Sequence, residues 1–186
     1  MGGTVFGRFI GSRVDREISA WASSLGQLKC NEKDNKPFHA YTQRLIQKFK
    51  EWGWKPVQGQ YCVGTLSTGV GTAIDLLMRD REGRLVAVEL KCGFDGYFQT
   101  PVAMMKPPFQ KIPCCPLNRA RMQLLFGYAL LLLSSNLRPA SLYVINVNKS
   151  EIDAYKVEGS SVGHLSKALL QLAYTVTNQR RRAQKH

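Results

Sequence analysis

Between residues 101 and 150 this chain has no aspartate or glutamate, although six lysines and arginines fall there. Acids are scarce overall, 13 against 26 bases, leaving a net charge of +13. That balance excludes an acidic solvating chain and favours polyanions as partners, nucleic acid first among them. Cysteine is sparse and unpatterned: Cys30, Cys62, Cys92, Cys114 and Cys115 form an odd set without a C-x-x-C pair. A disulfide scaffold and a zinc ribbon are thereby excluded, and reduced thiols are expected. Only three histidines occur (His39, His164, His186), with no H-x-x-x-H spacing, so they read as structural or surface groups. The longest apolar run, Leu124 to Leu133, is about half of a membrane span. Arg8, Arg13, Asp15, Arg16 and Glu17 break up any leader-like stretch, so a soluble, intracellular protein without membrane partners is expected.

What is present is the profile of a folded chain: 186 residues, 44% hydrophobic and 10% aromatic, enough for one domain. Residues 1–60 carry ten bases and five acids, 61–100 four and five, and 151–186 six and three. The acids are thus concentrated in a central stretch of an otherwise cationic protein. Arg180, Arg181, Arg182 and Lys185 make a basic tail over 179–186, which fits a nuclear address, a phosphate-binding arm or a solvated end.

Val14, Ile18, Trp21 and Leu25 fall on one helical stripe, as do Phe38, Tyr41, Leu45, Phe49 and Trp52. Lys55–Val63 reads as a strand and Gly64–Gly71 as a glycine-rich loop. Ala73–Met78 and Arg84–Cys92 read as strands joined by a tight turn at Asp80–Gly83. Five prolines between Gly93 and Pro116 predict a long irregular loop. A third helix over Leu117–Ser134, a strand pair at Ser141–Val147 and Ile152–Val157, and a last helix over His164–Thr177 follow. The order helix, strand, strand, strand, helix, strand predicts an α/β fold around one mixed sheet with helices on both faces.

The chemistry is concentrated in residues 71–93, GTAIDLLMRDREGRLVAVELKCG. Glu89 and Lys91 are two apart, so on a strand they share a face, and the hairpin brings Asp75 alongside. Two carboxylates are hard ligands suited to Mg²⁺ or Mn²⁺, and Lys91 would hold the attacking water. Charges inside a buried-type strand are costly unless paired or bound to metal, which argues against incidental salt bridges.

Asp75, thirteen intervening residues, then Glu89-Leu90-Lys91 resembles the signature of the PD-(D/E)XK nuclease superfamily, in its RecB and lambda-exonuclease-like branch. Ile74 stands where the signature has proline. The resemblance implies a single-domain, restriction-endonuclease-like αβββαβ core within residues 1–178. It implies metal ligation by Asp75, Glu89 and the Leu90 carbonyl, with Lys91 orienting water. The branch often adds an acid from the first helix; Glu17 is the better match and Asp15 the rival, and the two face different ways. It also places a glutamine on the helix after the lysine, in Q-L-x-x-Y; here Gln123 fits, while Tyr128 comes one position late. Some cousins carry an iron–sulfur cluster on four cysteines, three of them beyond this helix; no cysteine follows Cys115, so no cluster is expected. Compact members of this branch occur in viruses and mobile elements.

Asn118, Arg119 and Arg121 open the third helix and are candidate phosphate contacts. In the 93–116 loop, Phe94, Tyr97, Phe98 and Phe109 interleave with Lys106 and Lys111, a pattern suited to gripping a nucleic-acid strand. Gly69-Val70-Gly71 lacks the third glycine and following helix of a dinucleotide loop, and no nucleophile elbow is present. The expected activity is Mg²⁺- or Mn²⁺-dependent hydrolysis of DNA, as an exonuclease or endonuclease. The rival reading is a catalytically silent nucleic-acid-binding module that keeps the nuclease fold.

Overall fold

The computed structural model describes residues 5–27, 30–31, 36–65, 69–158, 164, 166–171 and 174–175. The basic tail and part of the expected last helix lie outside them. Among the described residues, the helices α1 (Val5–Ser23), α2 (Ala40–Trp52) and α3 (Pro116–Ser134) accompany nine strands, and residues 166–171 are also helical. The strands are β1 (Cys30–Asn31), β2 (Lys36–Pro37), β3 (Lys55–Thr65), β4 (Val70–Arg79) and β5 (Leu85–Cys92), then β6 (Ala103–Met104), β7 (Pro113–Cys114), β8 (Ser141–Val147) and β9 (Ile152–Lys156). One five-stranded sheet in the order β3-β4-β5-β8-β9 is the centre. Among the described residues its one parallel pair is β5 with β8, and α3 lies in the crossover between them.

The sheet separates two cores. On one face α1 and α2 pack Val14, Ile18, Leu45 and Phe49 against Leu76, Met78, Val86, Val88 and Ile145. On the other, α3 packs Leu124, Leu125 and Leu131 against Ile74, Leu77, Ala87 and Val144. α3 is apolar nearly all round because it is covered twice: Leu169 and Leu170 also pack on this core, and Ser166 Oγ donates to Leu125 O at 3.4 Å. Because both cores share one sheet, the described residues form a single α/β domain. No helix among them is long and apolar enough to cross a membrane.

Several expected boundaries move. α1 begins at Val5, more than two turns before the expected start at Arg13, with Ile10 extending the Val14–Ile18–Trp21 stripe into the core, and it ends at Ser23, leaving Leu25 exposed. Both ends of the expected Gly64–Gly71 loop are strand, with Gly64 paired to Gly71 and Thr65 to Val70; residues 66–68 lie outside the described set. A Cβ on Gly64 would stand 2.9 Å from Val70 O, so glycine here serves close strand pairing. The proline-rich 93–116 segment is not wholly irregular: β6 and β7 form a two-residue ladder within it, Ala103↔Cys114 and Met104↔Pro113. The Asp80–Gly83 turn forms as expected, with Asp80 Oδ1 accepting from the backbone N–H of Glu82 (3.0 Å) and Arg84 (2.9 Å), and Gly83 at φ 77°.

The approach of α1 to the sheet is set by Gly59. A Cβ there would lie 2.5 Å from Ser19 Cα and 2.6 Å from Ser19 O. Gly59→Ala is therefore expected to force α1 and β3 apart and to lower stability by about 1–3 kcal/mol. Urea unfolding of the variant measures it, and a change within a few tenths of a kcal/mol would mean that the contact relaxes freely.

Candidate active site

β4 and β5 pair from Arg79↔Leu85 to Leu76↔Val88, and there the ladder ends. One residue further, Asp75 Oδ2 accepts the Leu90 backbone N–H at 2.8 Å, a place where a neighbouring strand's carbonyl would ordinarily serve. Hence a carboxylate fills the gap between two central strands.

The pleat changes phase at this level. Ile74 packs on the α3 side and Leu76 on the α1–α2 side, although residues two apart on a regular strand share a face. Their partners on β3 do the same: Tyr61, opposite Ile74, packs on the α3 side, and Gly59, opposite Leu76, meets α1. The register places Gln60 opposite Asp75, and Gln60 has φ 48°, in the left-handed region that a long side chain seldom adopts. Such a backbone costs on the order of 1 kcal/mol and persists only where its surroundings impose it.

Asp75, Glu89 and Lys91 are brought together. Lys91 Nζ donates to Glu89 Oε1 at 2.6 Å and to Gln123 Oε1 of α3 at 3.2 Å. Glu89 is 1% exposed. Burial first, and the charge of Asp75 second, push its carboxyl up to about 8, more than Lys91 offsets. Asp75 is itself raised, burial again leading, with the Leu90 N–H and Lys91 pulling the other way. The adjacent Cys92 thiol is pushed up to about 12, by burial above all, and stays protonated.

The helix acid beside this cluster is Asp15, not Glu17. Gln60 Nε2 donates to Asp15 Oδ1 at 2.9 Å and to Asp75 Oδ1 at 3.5 Å. Asp15 lies one turn before Ser19, on the face of α1 that Gly59 admits to the sheet. Burial raises its carboxyl, against the Gln60 bond and the Lys91 charge. Glu17 instead ties α1 to α2: it accepts from Arg13 Nε, His39 N and Thr42 Oγ1, each at 2.7 Å. Although burial opposes its charge, Arg13, Thr42 and His39 together hold it below the usual carboxylate range. The preference for Glu17 thus fails because its bonds are spent inside the helix pair.

The predicted phosphate contacts divide. Asn118 is occupied, donating to Pro113 O at 2.9 Å and accepting from Arg121 Nη1 at 3.0 Å. Arg119 rests on Cys114 Sγ at 3.2 and 3.3 Å, and neither arginine pairs with an acid among the described residues. Lys106 and Lys111 are exposed on the segment joining β6 to β7. The aromatic grip is largely corrected: Phe98 is buried, Phe94 and Phe109 pack on the core, and only Tyr97 of the four is exposed. Tyr128 packs on the same core and does not join the site.

Gln60 was missed by sequence reasoning. Simple alternation along β3 aligns it with Gln58 and Cys62 on a solvent face, and only the phase change redirects it. Among the described residues, no group of three or more His, Cys, Asp or Glu side chains is arranged to hold a metal. The available donors are two carboxylates with backbone oxygen nearby, which suits a hard cation that keeps several waters. A surface groove of about 700 Å³ between α2 and β9, lined by Arg44, Lys48, Glu51, Glu151 and Asp153 among others, contains none of these residues.

The raised Glu89 carboxyl makes stability depend on pH. Unfolded, the group titrates near 4.5, so its contribution is fully present below that pH and is lost as pH rises towards about 8. The metal-free protein should lose on the order of 3 kcal/mol from Glu89 alone between about pH 4.5 and 7. Urea unfolding in EDTA across this range should show a flatter profile for Glu89→Gln; equal slopes in both proteins would refute the burial argument.

No family model and no curated protein matches the chain. Among solved structures, the crystal structure of SSO0001 is similar at a TM-score of 0.32 and 12% identity, over 70% of this chain and 56% of that one.

Proposed function

We propose that this protein is a Mg²⁺- or Mn²⁺-dependent nuclease that hydrolyses phosphodiester bonds in DNA, on a PD-(D/E)XK-like core. The observation that carries the reading is the convergence of the Asp75 and Glu89 carboxyls where the β4–β5 ladder ends, with a lysine 2.6 Å from Glu89. The succession of α1 and α2, β3-β4-β5, α3 and β8 supports the finer, restriction-endonuclease-like assignment.

Asp75 and Glu89, with the Leu90 carbonyl, would hold the cation. The residues fit it: burial and the neighbouring Asp75 charge favour a proton on Glu89, which a divalent ion can replace. Bound there, the metal supplies an activated water and stabilises charge on the phosphate and leaving oxygen. Lys91 directs two of its three ammonium protons at Glu89 Oε1 and Gln123 Oε1 and keeps one to orient the attacking water or a phosphate oxygen. Gln123 fixes the lysine head rather than touching the cation. Arg119 and Arg121, about one turn and about half a turn before Gln123 along α3, meet the phosphate backbone, with Lys106 and Lys111 extending that basic track.

Asp75→Asn, Glu89→Gln and Lys91→Ala should each lower cleavage on the order of 100-fold or more while the fold persists. End-labelled linear and covalently closed circular DNA, incubated with Mg²⁺, Mn²⁺ or EDTA, read this; cut circles identify an endonuclease. Full activity in any two variants would overturn the assignment. DNA binding in Ca²⁺ with no cleavage in Mg²⁺ or Mn²⁺ would make the protein a silent binding module.

Metal and proton should compete for Glu89. Mn²⁺ should therefore raise the melting temperature at about pH 8 and have little effect at about pH 5. The same increment at both pH values would place the ion elsewhere.

Reversing Arg119 and Arg121 to Glu should weaken DNA binding regardless of sequence and lower the salt slope by roughly one unit per lost phosphate contact. Titration against salt in Ca²⁺ measures this, and an unchanged slope would remove the start of α3 from the interface.

A further inference from the structure

Asp75 is held at both oxygens by donors of different origin. Oδ2 takes the Leu90 backbone N–H, which the sheet fixes, and Oδ1 faces the Gln60 amide, which also donates to Asp15. A carboxamide nitrogen carries two protons, enough for one bond to each acid. The Gln60 backbone is left-handed, and the change of pleat phase needs that conformation whatever the side chain. Glycine or asparagine would supply it with less strain. A glutamine in this place is therefore explained by what its amide does and not by the turn of the backbone.

We infer that Gln60 is a positioning residue: its amide sets the plane of the Asp75 carboxylate and holds the Asp15 carboxylate to it across the gap between α1 and the sheet. This inference rests on the metal-dependent nuclease reading. Without the amide, two acids at one edge of the site lose their common donor, and Asp75 keeps the Leu90 N–H at Oδ2 but loses the donor at Oδ1. The cation would then meet a carboxylate free to rotate. Asp15 would turn away to solvent, since Gln60 is the link from α1 to Asp75 that the geometry supplies.

The test compares the full-length wild type with Gln60→Gly and Gln60→Asn. Mn²⁺ binding is measured by titration calorimetry, the melting temperature in EDTA, and cleavage of linear DNA against Mn²⁺ concentration. Gln60→Gly removes the amide and relieves the backbone, so it should keep or raise the melting temperature yet weaken Mn²⁺ binding ~10-fold. The Mn²⁺ needed for half-maximal cleavage should rise in step. Gln60→Asn tolerates the left-handed backbone and keeps an amide donor, so it should recover part of the Mn²⁺ affinity. Unchanged Mn²⁺ affinity in Gln60→Gly, whatever its melting temperature, would overturn the inference, as would an Asn variant no better than the Gly variant. A wild type that binds Mn²⁺ without cutting DNA would sink the nuclease reading alone, because the affinity comparison still judges Gln60. A wild type that binds no Mn²⁺ overturns both.

Discussion

The polar centre of this protein depends on one substitution of partners: the Asp75 carboxylate takes the Leu90 N–H where the β4–β5 ladder ends. A side chain in a backbone's role holds the two strands apart while keeping the donor between them satisfied. The opening admits Glu89 and Lys91 from β5 and sets a buried carboxyl beside the half-buried Asp75. On β3 the left-handed Gln60 reverses the pleat in step with β4, so that pairing resumes on both sides of the disturbance. The site is therefore a local fault in an otherwise regular sheet, and the cores above and below it are what hold that fault in place.

Support comes from α1 through two unlike contacts. Gly59 lets the Ser19 backbone approach the sheet, and this carries Asp15 to the Gln60 amide. Two residues on, Glu17 binds α2 through Thr42 and the His39 N–H. One helix thus presents an acid to the site and another to its own scaffold. The ordinary 3.6-residue period separates them onto different faces.

Much of this was legible in the sequence because the informative signals are local. The Asp80–Gly83 turn, the two-residue spacing of Glu89 and Lys91, and the apolar stripes of α1 and α2 follow from periodicity and turn chemistry alone. Gln123 was also found, on a motif in which the following tyrosine is displaced; the helix carries Tyr128 into the core instead. What was not legible depends on tertiary contact. Glu17 and Asp15 are equivalent acids until α2 arrives to claim one of them. Gln60 looks like a solvent-facing residue until both strands change phase. Phe94, Phe98 and Phe109 read as an exposed aromatic grip, but the segment folds them onto the α3-side core, Phe98 fully buried, with Leu117 N donating to Phe98 O at 3.0 Å. Glycines at 64 and 71 suggested a loop, whereas strand pairing used their lack of side chains.

The single parallel pairing in the sheet has a consequence for the order of assembly. β3, β4 and β5 are joined by short connections and can pair as a local meander, but β8 reaches β5 only after an excursion of 48 residues, 93–140. The loop entropy of that closure must be met before the pairing rewards it, which makes it the slower event. Asp75, Glu89 and Lys91 all belong to the early meander, whereas Gln123, which steadies the lysine, belongs to the excursion. The acidic residues are thus gathered before the helix that completes their setting has docked. Until then the meander carries its two acids on an uncovered sheet face, where water keeps them apart in chemistry; the docking of α3 closes that face.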